Sequence, residues 1–326
     1  MKPLLAFLLT ALLAVSVSAD YGVSKFTDPI CGGADPCVVK NPEDKGYWYV
    51  YSSDKAVFAE YALTPADFRY DFRNKVFEAR PNTLYAKEFW APELHRLGGK
   101  WYIYFTAADD SGLHRMFVVS GDDPTKPFGD IKCMGDYEDD NAIDQTVFEY
   151  KGKLYTSFSA RNKDHQKLML AEMKSPYEIK GAPVCVSRPE YDWEKPGWPI
   201  NEGSYAVKHG GKLHLIFAAA GATMDEYCIG LLTFGGGDIM NPANWKKHPE
   251  PILRGQGNIQ GTGHGMFTQD ADGNDWLVFH CNRPHNEENR GQWLARFLCL
   301  QPVVWIDDIP HFSPVVEKPK YFKYER

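Results

Sequence analysis

Three carboxylic acids and a histidine stand at matching points of a sequence that otherwise reads as short strands. They are Asp35 in "GGADPCVV", Asp144 in "NAIDQTVFEY", Glu202 in "INEGSYAV" and His264 in "GTGHGMF". Each lies eight to eleven residues before a turn glycine that opens a β-type run. A charged group at the mouth of a buried strand costs free energy unless it is paired, hydrogen-bonded or used. One such acid alone reads as a turn cap or a structural ion pair, whereas three at equivalent positions read as a site. Two carboxyl groups flanking a pocket are what glycosidic bond cleavage needs. One must be protonated to donate to the leaving oxygen, and the other ionised to activate water or attack the anomeric carbon. A third carboxylate nearby raises the pKa of the acid by like-charge repulsion and can orient it. Gly203, beside Glu202, would leave room for a ligand close to the backbone.

The elements that must position these groups repeat along the chain. "GYWYVYSS", "GKWYIYFT", "GKLYTSFS", "GKLHLIFA" and "GNDWLVFH" begin at Gly46, Gly99, Gly152, Gly211 and Gly273, at intervals of 53 to 62 residues. In each copy a turn glycine precedes a strand rich in β-branched and aromatic residues. A further strand follows in most copies, in "RMFVVS", "KLMLAE", "YCIGLL" and "QWLARF". Five all-β units of about fifty residues predict a five-bladed β-propeller. A pair of β-sandwiches has similar strand statistics but gives no reason for a near-constant period. In a propeller the innermost strands surround one axis, so groups far apart in sequence meet in one pocket.

Lys2, the apolar run Leu4–Val15 and the small-x-small tripeptide Val17-Ser18-Ala19 read as a secretory signal peptide over residues 1–19. Residues 20–326 are then expected to form a single propeller domain in an exported, extracellular, soluble protein. A net charge of -7 argues against nucleic acid or an anionic membrane as partner. The 19 Phe, 18 Tyr and 9 Trp suit a carbohydrate ligand, although core packing accounts for most of them. Seven cysteines are an odd number for an oxidising compartment, so at least one thiol is left over. Spacing suggests Cys31 with Cys37 as one pair, and no CxxC pair points to zinc.

"GADPCVVK", "WAPELHRLGGKWYIYFTA", "AIDQTVFEYKGKLY" and "NEGSYAVKHGGKLHLIFAAAG" together resemble glycoside hydrolase family 43, as do "GLLTFGGGDIMNPANWKKHPEPIL" and "GTGHGMF" with "NDWLVFH". The segments are most similar to its secreted α-L-arabinofuranosidases, and the resemblance runs from about Pro29 to Phe312. It implies a five-bladed propeller that hydrolyses arabinan or xylan linkages with inversion. By motif, Asp35 would be the general base, Glu202 the general acid, and Asp144 the group that tunes and orients Glu202. A second Asp-Pro at Asp28 competes for the base, but it lies outside the repeat register. "WAPE" resembles the sugar-contacting stretch, with Trp90 or Phe89 as stacking face, and Arg296 resembles an arginine that reaches the substrate. His264 resembles a histidine facing a central calcium through waters. That ion would be structural, since the chemistry requires no cofactor.

The resulting expectation is a monomeric, exo-acting hydrolase of α-L-arabinofuranosyl linkages in plant cell-wall arabinan or arabinoxylan. An endo-1,5-α-L-arabinanase or a β-xylosidase would use the same catalytic set. A non-catalytic sugar-binding propeller would have lost one of the three acids. Retaining fructan hydrolases share the five blades but begin with a longer Asn-Asp-Pro-Asn segment that this chain lacks.

Overall fold

A computed structural model describes residues 20–135, 141–283, 288, 292 and 295–326, and the signal-peptide reading of residues 1–19 lies outside them. The fold is a five-bladed β-propeller, with blades I to V in chain order. Its innermost strands are Cys37–Lys40, Lys87–Leu97, Asn141–Tyr150, Asn201–His209 and Gln260–Gln269. Each pairs with an antiparallel second strand that starts at or just after a repeat glycine, Tyr47–Ser53, Lys100–Ala108, Lys153–Arg161, Lys212–Ala219 and Asp275–Asn282. A third strand follows in each blade, Ala56–Ala62, His114–Gly121, Gln166–Ser175, Cys228–Phe234 and Phe297–Pro302. Blades I to IV carry a fourth, outer strand.

Blade V has three strands of its own, and the beginning of the chain supplies its outer edge. The Ile30 amide donates to Leu298 O, the Leu298 amide to Cys31 O and the Gly33 amide to Arg296 O, at 2.8–2.9 Å. This pairing closes the ring. Tyr21–Thr27 also pairs with Pro319–Glu325, and Lys320 reaches the fully buried Asp28 carboxyl. Both ends are thus fastened to the same blade, satisfying strand edges that would otherwise remain open.

Aromatic side chains fill the spaces between blades. Tyr47, Tyr49, Tyr51, Trp101, Phe105 and Phe117 are all fully buried. Phe89 belongs to this layer: it is 1 % exposed and stacks on Phe105 with ring centroids 5.0 Å apart. The core claims it because the side chain next to it in an alternating strand, Trp90, takes the opposite face.

One local feature recurs at the same end of the inner strands. The pairing register slips between Lys87 and Glu93, between Ile143 and Thr146, between Glu202 and Tyr205, and between Gly263 and Met266. Each slip contains a residue in the left-handed region: Ala91 (φ 44°), Asp144 (φ 57°), Gly203 (φ 52°) and His264 (φ 47°). Asp35 (φ 47°) takes the same conformation just before the first inner strand. A bulge bends the strand and re-aims its side chains. Here it directs them towards the axis.

Candidate active site

Asp35, Trp90, Asp144, Glu202, His264 and Arg296 line one cavity of about 720 Å³ at the bulged end of the inner strands. Phe89 does not line it. Asp144, Glu202 and His264 are buried, at 7–8 % exposure. The bulge alignment refines the equivalence drawn from sequence. Asp144, Gly203 and His264 are the true counterparts, and Glu202 stands one residue earlier, as Trp90 does before Ala91.

Gly203 makes room for a protein group and not for a ligand. A Cβ there would come within 2.8 Å of the His264 ring, and its φ is one that side chains rarely adopt. The Gly203 amide donates to the Asp144 carboxyl, which ties that acid to the backbone beside Glu202.

The two outer acids have opposite surroundings. His264 Nδ1 lies 3.2 Å from Asp35 Oδ1 and 3.9 Å from Asp144 Oδ2. Arg296 donates from a guanidinium nitrogen to Asp35 Oδ1 at 3.1 Å. The Asp35 amide donates to His280 Nδ1 at 3.2 Å. Burial works to raise the pKa of Asp35, but Arg296 and His264 outweigh it and hold the carboxyl well below its usual range. His280 is fully buried, and that burial lowers its pKa to about 4, so it stays neutral and accepts the Asp35 amide.

Glu202 has no such cation in contact. Burial raises its pKa, and the charge on Asp35 adds to the shift. Burial likewise pushes Asp144 up to about 8, with Glu202 and Asp35 adding repulsion. Asp144 and Glu202 therefore keep a proton between them at neutral pH, while Asp35 is ionised. Glu202 accepts from the Tyr227 hydroxyl at 2.8 Å and from Gln166 Nε2 at 2.7 Å.

His264 has charged partners of its own. Burial opposes its protonation, but Asp35 and Asp144 win and raise its pKa to about 9. Among the described residues no group of three or more His, Cys, Asp or Glu is placed to hold an ion. Direct ligation by three side chains is what this excludes; a calcium facing His264 through waters stays a proposal, and no step below runs through one.

Two aromatic faces frame the cavity. Trp90 is 39 % exposed and stacks on the His114 imidazole at 4.0 Å, which in turn lies 2.8 Å from Glu88. Trp198 also lines the cavity, with the Arg161 guanidinium 4.9 Å from its ring centroid. Sequence reasoning missed Trp198, Arg161, Gln166, Tyr227, His114 and His280. A positional rule would have found four cavity or supporting groups. His114, Gln166, Tyr227 and Arg296 all stand at or just before the start of a third strand, which opens on the same end as the inner strands.

The pairing of Cys31 with Cys37 is not present, since both are free thiols. Cys37 turns inward and its sulfur accepts the Leu94 amide at 3.2 Å, while the backbone at Cys31 pairs with blade V. Asp35 is held by Arg296 and two histidines instead of a staple. Asp28, the competing Asp-Pro acid, is buried against Lys320 and Leu300 N, away from the cavity lining.

A five-bladed propeller with one ionised and one proton-bearing carboxyl in a shared, aromatic-walled cavity defines a glycoside hydrolase. Residues 26–310 match the model of Glycosyl hydrolases family 43, and the chain belongs to that family. An extracellular exo-α-(1→5)-L-arabinofuranosidase of Streptomyces chartreusis is 36 % identical over 220 residues, covering 64 % of this chain and 67 % of that protein. A Streptomyces avermitilis enzyme of the same name is 30 % identical over 90 % of this chain and 64 % of its own length. The chain thus spans about two thirds of these relatives. The crystal structure of an α-L-arabinofuranosidase from Lactobacillus brevis superposes with a TM-score of 0.80 at 30 % identity, covering 90 % of this chain and 98 % of that one.

Proposed function

We propose that this protein is an exported, exo-acting α-L-arabinofuranosidase that removes arabinofuranosyl units from arabinan or arabinoxylan with inversion of configuration. The observation that carries the reading is the division of labour in the cavity, an ionised Asp35 opposite a proton-bearing Asp144–Glu202 pair. Asp35 takes a proton from a water as that water attacks the anomeric carbon. Glu202 gives its proton to the departing oxygen, and Asp144 shares that proton with it while burial and the charge on Asp35 keep the proton available. The sugar ring lies against Trp90 or Trp198, whose flat faces suit its apolar side. Arabinose as the sugar, removal from the chain end and an extracellular setting rest on the names of the two Streptomyces relatives.

The acids remain in opposite protonation states, which a purely binding propeller would have no use for. No feature of the cavity favours the endo-arabinanase or the β-xylosidase reading. The test is product analysis on linear α-1,5-arabino-oligosaccharides and xylo-oligosaccharides. Arabinose alone should appear from the first time points, with the xylo-series untouched. Shorter oligosaccharides appearing first, or xylose release, would overturn the proposal.

A further inference from the structure

Both oxygens of Glu202 are occupied, and their two partners differ in what they can do. Gln166 faces Oε2 with its amide nitrogen, and Tyr227 faces Oε1 with its hydroxyl. An amide N–H can only donate, so Oε2 must remain an acceptor whether Glu202 is ionised or not. A phenol can donate or, by turning its O–H bond, accept. The transferable proton therefore belongs on Oε1. We propose that Gln166 and Tyr227 are positioning residues for the acid: Gln166 fixes which oxygen carries the proton, and Tyr227 reverses its hydrogen bond as that proton leaves.

This rests on Glu202 being the general acid. The bond from Tyr227 to Oε1 is that of the ionised carboxylate; with the proton on Oε1, Glu202 O–H donates to the Tyr227 oxygen. As the glycosidic bond breaks, that proton passes to the leaving oxygen and the bonding pair stays on Oε1. Tyr227 then donates its own O–H into the charge that has developed. Tyr227 keeps its proton throughout, and nothing is oxidised or reduced. Such a bond is strongest in the ionised product of the transfer, so it assists the step instead of only holding the reactant.

The two partners are themselves fixed. The Tyr227 ring stacks on His280 at 5.6 Å, and any side chain at Gly263 would overlap it. The backbone N–H of Gln166 donates to Pro199 O at 3.0 Å. The other charged and titratable groups around Glu202 are Asp35, Asp144, His264, His280, Arg161 and Arg296, from blades I, III and V, with His114 of blade II lining the same cavity. None is altered in the variants below.

Tyr227→Phe keeps the ring and removes only the hydroxyl. A carboxyl-carbon NMR titration, with the Glu202 signal identified by its loss in Glu202→Gln, should show Glu202 titrating at higher pH in Tyr227→Phe. The alkaline limb of kcat/KM should move up with it. On arabino-oligosaccharides kcat should fall roughly 10–100-fold, the scale of one hydrogen bond to a charged group, with KM little changed. The loss should be smaller on a nitrophenyl arabinofuranoside, whose leaving group needs little protonation. Gln166→Met should move the titration in the same direction, which keeps the test available if the tyrosine variant folds poorly. A Glu202 titration unchanged in both variants, or equal losses on both substrates with an unmoved pH limb, would overturn the proposal. The titration needs no substrate, so an inactive wild-type protein would sink the activity reading and still leave this one decidable.

Discussion

Asp35 and Glu202 are both carboxyl groups within one buried cavity, yet their contacts push them to opposite states. The difference is local charge: Arg296 and a protonated His264 touch Asp35, whereas Glu202 meets a phenol, an amide and a neighbouring acid. The pH profile of kcat/KM follows from this. Asp35 works only when ionised, so activity should be lost on the acid side only below the usual carboxylate range. Glu202 works only while the pair holds its proton, so activity should fall as pH rises through about 8, the raised value carried by Asp144. An acid limb at pH 5 or above would contradict the assignment of Asp35. The roles also separate by leaving group. Glu202→Gln should cost about 10²–10⁴-fold on oligosaccharides and far less on a nitrophenyl arabinofuranoside. Asp35→Asn should cost a comparable factor on both, because attack by water is needed whatever departs. Equal behaviour of the two variants across both substrates would undo the assignment.

At the scale of the element, the bulge at the start of four of the five inner strands decides which side chains see the cavity. An unbroken strand would alternate its residues between faces, and Glu202 and Gly203 could not both serve the site. Gly203 is where this is most exposed to test. Ala in its place would occupy the left-handed region, at a cost of about 1–2 kcal/mol, and would drive the His264 ring off its position. Gly203→Ala should therefore lower thermal stability and also weaken the hold on Asp35. A variant with wild-type melting temperature and wild-type activity would show that the bulge does not set the site. The glycine repeat made the strands and the blade count legible, because turn glycine and β-branched runs are local signals. The bulges were not legible. They arise from pairing between strands, and no single residue type marks them: Ala91, Asp144, Gly203 and His264 all occupy the same turn. Phe89 and Trp90 show the same limit, since two adjacent aromatics look alike in sequence and only the register sends one to the core.

At the scale of the whole molecule, ring closure is what brings the base into place. The segment Ile30–Gly33 completes blade V, and the chain then crosses to the axis, leaving Asp35 beside Arg296 and His280 of that same blade. The base thus comes from the first blade and its supporting charges from the last, while the acid comes from the fourth. Repeat symmetry made the convergence of Asp35, Asp144, Glu202 and His264 readable from the spacing of the glycines. Gln166 and Tyr227 stand at or just before the start of a third strand, a position the repeat marks, whereas Trp198 was not readable, because it sits in a connection outside the repeated strands. The single displacement proposed above needs room for a water between base and sugar, with the two carboxyls roughly 6.5–9.5 Å apart. The most direct test is a proton NMR time course on an α-L-arabinofuranoside, reading the anomer of arabinose released before mutarotation. The account predicts β-arabinose first. Early α-arabinose would mean retention through a covalent intermediate and would contradict the assignment of Asp35 as a base acting through water.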